Sequence, residues 1–132
     1  MVITQSNEMF RNMKNIPKYN RGKHFYEQSI DVIDFFTEEY RKIREGVTIG
    51  GVFIHPWLYY HLNFFKADIP ISKGVDKLMT PPLDDHIWYF VESYMEAEEK
   101  NKGLLMFGTR GFTKTTMIAS HLFSQVCENK VI

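Results

Sequence analysis

Residues 103–116 constrain this chain more than any other stretch: Gly-Leu-Leu-Met-Phe-Gly-Thr-Arg-Gly-Phe-Thr-Lys-Thr-Thr. An apolar run, Leu104 to Phe107, leads into a glycine-containing segment that ends at Lys114-Thr115, and a helical pattern follows. Strand, glycine loop, Lys-Thr and helix is the order of a phosphate-binding P-loop. The strand before such a loop normally sits inside a parallel sheet covered on both faces. This predicts an α/β chain: a mostly helical N-terminal region leading into the beginning of a P-loop NTPase core, with only one full strand of that sheet in the sequence.

One position departs from Gly-x-x-x-x-Gly-Lys-[Ser/Thr]. Thr113 stands where glycine precedes the lysine. Glycine there leaves room for phosphate and freedom of backbone angle. A β-branched residue fits poorly if φ must be positive, and is tolerated with weaker binding if the position need only be small. The candidate nucleotide-binding residues are Gly108, Thr109, Arg110, Gly111, Phe112, Thr113, Lys114, Thr115 and Thr116. Backbone N–H groups of such a loop converge on phosphate oxygens, and the next helix offers its positive end. Lys114 would reach the β- and γ-phosphates of ATP, and the Thr115 hydroxyl would meet Mg²⁺. Arg110, four residues before Lys114, is the candidate catalytic residue, stabilising charge that develops on the γ-phosphate. The plain alternative is a glycine-rich turn with a surface lysine and a solvated arginine.

Helical spacing predicts further elements. Ser29 precedes Ile30, Ile33, Phe36, Tyr40 and Ile43, and Gly46 follows, so a helix spans 30–45. Thr48 to Ile54, with Gly50-Gly51, reads as a turn leading into an extended piece. Pro56 opens a helix that is apolar on nearly all sides, which predicts burial. Ala67 to Ser72 reads as a strand and Lys73 to Pro82 as a loop. Asp84 or Asp85 starts a helix carrying Ile87, Phe90, Val91, Tyr94 and Met95, which ends in the charged run Glu96 to Lys102. A final helix runs from Lys114 to about Glu128, with Met117, Ile118, Leu122, Phe123 and Val126 as its apolar positions. Val131-Ile132 read as the first residues of another strand. The domain reading is an irregular arm over 1–28, a helical and aromatic subdomain over 29–102, and the start of the P-loop core over 103–132.

Bulk properties exclude little. Lys+Arg and Asp+Glu are both 16, so net charge demands neither nucleic acid nor an acidic membrane, although a local patch is compatible with it. The single cysteine, Cys127, cannot form an internal disulfide. Residues 1–20 contain no apolar leader segment, and no stretch approaches 18 consecutive apolar residues. A cytoplasmic protein without a membrane span is expected.

Thr109-Arg110-Gly111-Phe112-Thr113-Lys114-Thr115 resembles the P-loop of the large terminase subunit of tailed bacteriophages, apart from Thr113. Two upstream segments are similar to that family as well. His55-Pro56-Trp57-Leu58-Tyr59-Tyr60-His61-Leu62-Asn63-Phe64 looks like the aromatic segment ahead of its ATPase core. Pro82-Leu83-Asp84-Asp85 with Trp88 looks like the segment leading into the helix before the loop. The resemblance covers roughly residues 45–132. It implies an ATPase that drives double-stranded DNA into procapsids, with a metal-dependent nuclease in a C-terminal part. ATP and Mg²⁺ would be its cofactors, and DNA, a small terminase subunit and the portal or procapsid its partners. Residues 56–64 would lie near the adenine. No apolar strand ending in Asp-Glu follows the loop, and the nuclease carboxylates are missing. The chain is therefore expected to be an N-terminal portion without detectable hydrolysis of its own. Two alternatives stay open: a non-enzymatic binding or assembly module that retains a degenerate P-loop, and a truncated P-loop ATPase of another family.

Other groupings carry less. His55 and His61 are six apart, off one helix face, with no cysteine or carboxylate at ligand spacing for zinc. Trp57, Tyr59, Tyr60, Phe64 and Phe65 could stack on bases, but lack interleaved cations and read better as core. Glu96, Glu98 and Glu99 read as a solvated helix end. Lys14, Lys18, Arg21 and Lys23 in the arm could touch DNA or a partner, a solvated tail being the commoner outcome.

Overall fold

The computed structural model describes residues 10–11, 16–81, 83–105 and 114–127. Helix α1 spans Ile30–Glu45, starts after an extended Ser29, and buries Val32, Glu39 and Ile43 along one narrow stripe. It stops at Gly46, whose φ of 81° suits glycine. A Cβ at Gly46 would lie 2.7 Å from the Phe53 ring and 2.8 Å from the Ile54 carbonyl oxygen. The chain then folds back as a hairpin of β1 (Val47–Ile49) and β2 (Val52–Ile54), paired antiparallel. Its two-residue turn, Gly50-Gly51, has positive φ at both positions, the geometry that follows the natural strand twist.

Helix α2 (Pro56–Asn63) begins with proline at its first turn, as its sequence predicts. Trp57, Leu58, Tyr59, His61, Leu62 and Asn63 are all buried, so the helix is enclosed on almost every side. Helix α3 (Asp85–Glu99) follows an extended Asp84 and buries Ile87, Phe90 and Val91 against α2 and its neighbours. It ends with Asn101 at φ 54°, where Lys102 N–H donates to the Ala97 carbonyl and Asn101 N–H to that of Glu98. The core joins Ile43, Ile54, Trp57, Leu58, Tyr59, Leu62, Leu83, Ile87, Val91 and Met117.

One residue of the arm belongs to this core, and the next is tied to its edge. Phe10 is buried, and its carbonyl accepts from Asn63 Nδ2 at 3.1 Å. The Arg11 guanidinium donates to the carbonyls of Leu62 and Pro81 and to Thr80 Oγ1. It ties the end of α2 to the segment entering α3. A second tie joins α1 to α2: the Tyr59 hydroxyl donates to the buried Glu39 carboxylate, which also accepts from Lys42 Nζ at 3.2 Å.

Strand β3 (Ala67–Ser72) lies where the sequence predicts one, but the expected loop over 73–82 does not hold. Val75–Met79 form β4, antiparallel to β3, with an irregularity between Pro70 and Ser72. Most of the hairpin faces solvent on both sides, with Ile71, Val75 and Leu78 exposed. No buried face imposes an alternating pattern on Val-Asp-Lys-Leu-Met, so periodicity gives no sign of the strand. Proline within β3 is compatible with an irregular edge.

Helix α4 (Lys114–Cys127) packs against α2. The chain is thus mixed α/β: among the described residues, four α-helices and two separate two-stranded antiparallel sheets. A parallel sheet is not among the described elements. Of the strand expected over 104–107, Leu104 and Leu105 are described and lie in no strand. Both are exposed. Residues 106–113, and the strand start expected at Val131-Ile132, fall outside the described residues. No helix among the described residues is long and apolar enough to cross a membrane.

Candidate functional site

The predicted nucleotide site divides in two. Gly108, Thr109, Arg110, Gly111, Phe112 and Thr113 lie outside the described residues. Lys114, Thr115 and Thr116 form the first turn of α4, with Thr115 exposed and Thr116 half-buried. The Lys-Thr pair therefore stands in the first described turn of a helix, with the residues before it outside the described ones.

A cavity of about 560 Å³ lies between the end of α3 and Ile118 of α4. Phe90, Tyr94 and Ala97 of α3 line one side and Ile118 of α4 the other, with Leu104 between them; Glu98, Asn101 and Lys102 supply polar groups. Its volume falls within the range of small-molecule pockets. Helix α2, expected near an adenine, contributes no lining residue. Trp57 stands behind the cavity, packed edge-on against Phe90 and Tyr94 at ring distances of 5.7 and 5.3 Å.

What holds α4 in place is a buried polar cluster. Trp57 and His61 are four apart on α2 and so share a face. Both meet Ser120: Trp57 Nε1 donates to its Oγ at 3.3 Å, and His61 Nδ1 lies 2.7 Å from the same oxygen. An indole N–H only donates, so Ser120 Oγ accepts from Trp57, and it keeps a lone pair and a proton for His61 Nδ1. His61 Nε2 is buried and finds no hydrogen-bond partner among the described residues. Burial, and secondarily the positive charge of Arg11, pushes the His61 pKa down to about 4. Alongside, His121 Nε2 lies 2.9 Å from the Tyr94 hydroxyl, and the His121 ring sits 4.4 Å from that of Trp57.

Ser120 and His61 have the spacing of a nucleophile and its base, but not the setting. Both side chains are fully buried, and the serine oxygen is already engaged by Trp57. They act as a pin between two helices. Reading histidines singly along the sequence misses this pin. Its signal is the i,i+4 pair Trp57/His61, whose shared face meets Ser120 of the other helix.

The charged run that closes α3 is a solvated helix end in the structure. Glu96 and Lys100 pair at 2.6 Å with both side chains exposed. The hydrogen bond to Lys100 holds the Glu96 carboxyl below the usual range. Across the family models, the curated proteins and the solved structures, nothing matches this chain.

Proposed function

We propose that this chain binds a nucleoside triphosphate through residues 108–116, as the N-terminal portion of a phage terminase large subunit, the motor that packages double-stranded DNA into procapsids. The observation that carries the reading is α4 itself. Its described residues begin at Lys114-Thr115, and it has two faces that want cover. One is pinned to α2 through Ser120. The other presents Ile118, Leu122, Phe123 and Val126 to solvent, each more than half exposed. A helix that is apolar on its outer side as well belongs between two layers. A P-loop helix is such an element, because it lies on the parallel sheet whose strand feeds the loop.

In this reading the first-turn N–H groups of α4 and those of the loop take up phosphate oxygens, and Lys114 neutralises their charge. Thr115, exposed on the first turn, offers its hydroxyl to Mg²⁺. When bound, the ion would supply positive charge against the phosphates. Arg110 would face the terminal phosphate. The cavity between α3 and Ile118 is large enough to take the base and sugar. DNA, the small terminase subunit and the portal or procapsid are partners in this proposal.

Calorimetric titration with Mg-ATP tests it. Saturable binding that disappears in Lys114→Ala, with unchanged circular dichroism, is expected. Absence of binding by the wild-type chain at millimolar nucleotide overturns the site. A second reading, a binding module with a relic loop, is favoured by Leu104 and Leu105 lying in no strand. It predicts no nucleotide binding together with a stable partner in pull-down.

A further inference from the structure

Of the arm cations singled out in the sequence, Lys18, Arg21 and Lys23 belong to a built loop, and Lys14 lies outside the described residues. Gln28 is buried and holds residues 20–23 closed: it accepts from Asn20 N–H at 3.0 Å and donates to the carbonyls of Asn20 at 2.7 Å and Lys23 at 3.1 Å. Asn20 Oδ1 accepts from Gly22 N–H at 2.9 Å, the side-chain turn that asparagine favours. Tyr19 and Phe25 pack edge-on against Phe36 of α1, at ring distances of 5.9 and 6.4 Å. With its inner side anchored, the loop turns Lys18, Arg21, Lys23, His24 and Tyr26 outward, all exposed. Tyr26 is 76% exposed, and its ring lies parallel to that of His24, 5.5 Å away and 6° from coplanar. Over residues 18–27 three cations face one carboxylate, Glu27, and that carboxylate is engaged by the His24 N–H at 3.0 Å.

We propose that the 18–26 loop binds single-stranded nucleic acid, with Lys18, Arg21 and Lys23 on phosphates and the His24–Tyr26 stack receiving an unpaired base. Cations that neutralise backbone phosphates supply sequence-independent affinity, and exposed aromatic faces add stacking that a paired duplex cannot reach. A loop already held by Gln28 loses little freedom on binding. An acidic peptide would use the cations but leave the stacked rings idle. A lipid surface calls for a larger basic cluster than three residues. The proposal does not rest on residues 108–116.

Fluorescence anisotropy with labelled oligo(dT), oligo(U) and a blunt duplex, on the full chain at low and raised salt, tests the proposal. Binding of oligo(dT) or oligo(U) in preference to the duplex, weakening with salt, is expected, and the better of the two names the sugar. Neutralising Lys18, Arg21 and Lys23 together should weaken it by at least about tenfold. Tyr26→Ala should weaken it by about tenfold and Tyr26→Phe should preserve it, since only the ring face is needed. The proposal is overturned if neither oligonucleotide binds, if the duplex binds as tightly, if Tyr26→Ala binds as the wild type does, or if polyglutamate competes as well as unlabelled oligonucleotide.

Discussion

The two faces of α4 are opposite in character to what water would select. The buried face carries Ser120 and Ser124 beside Met117, whereas the exposed face carries Ile118, Leu122, Phe123 and Val126. On the inner face small polar residues allow close approach to α2, and each serine hydroxyl has a partner: Ser120 those of α2, Ser124 the His121 carbonyl at 2.7 Å. On the outer face apolar area stays in contact with water, apart from Phe123, whose ring reaches Phe65 at 6.2 Å. The contrast teaches that helix position here is set by specific fit, and that the apolar stripe is suited to a further layer.

The largest effect should come from the inner side. Trp57→Ala removes the ring that meets Phe90, Tyr94 and His121 and the donor to Ser120. It should cost about 3–5 kcal/mol in denaturant unfolding. A loss below about 1 kcal/mol would show that α4 is not held through this contact.

Acid should act on the same pin. His61 titrates near 6.5 unfolded and about 4 folded, so the unfolded chain binds more protons between those values. Stability is then complete above about pH 6.5 and falls as pH drops toward 4, by about 3 kcal/mol in all. In His61→Gln this part of the pH dependence should vanish. Identical unfolding curves against pH for the two proteins would remove His61 from the account.

Ser120→Ala is expected to cost about 2 kcal/mol, since it strands both Trp57 Nε1 and His61 Nδ1 without their partner. It should also shift the indole fluorescence. Leu122→Ser on the outer face should change stability by no more than about 0.5 kcal/mol. A loss comparable with Ser120→Ala would mean that the outer face is packed within this chain, and the contrast between the two faces would fail.

Local signals made much of the fold readable. Ser29 and Gly46 bracket α1, Pro56 opens α2, and Asp84 precedes α3, because caps and breakers act over one turn of chain. The Gly50-Gly51 turn was legible for the same reason, though its closure into a hairpin was not. Strand β4 escaped because an exposed hairpin need not alternate. The candidate site was legible only as a motif. Lys114 and Thr115 do stand in the first described turn of a helix, whereas the polar cluster beneath them left no trace in spacing along one segment.

Sequence alone placed α1, α2 and α3 and the stop of α1 at Gly46, since these depend on backbone sterics and capping within a few residues. Tertiary structure decided that Trp57 and His61 converge on Ser120, that Arg11 joins the end of α2 to the entry of α3, and that Gln28 turns a basic arm into a closed loop. Those contacts join residues 5 to 70 positions apart. Their strength comes from burial and from hydrogen bonds made across helices, which no local pattern records.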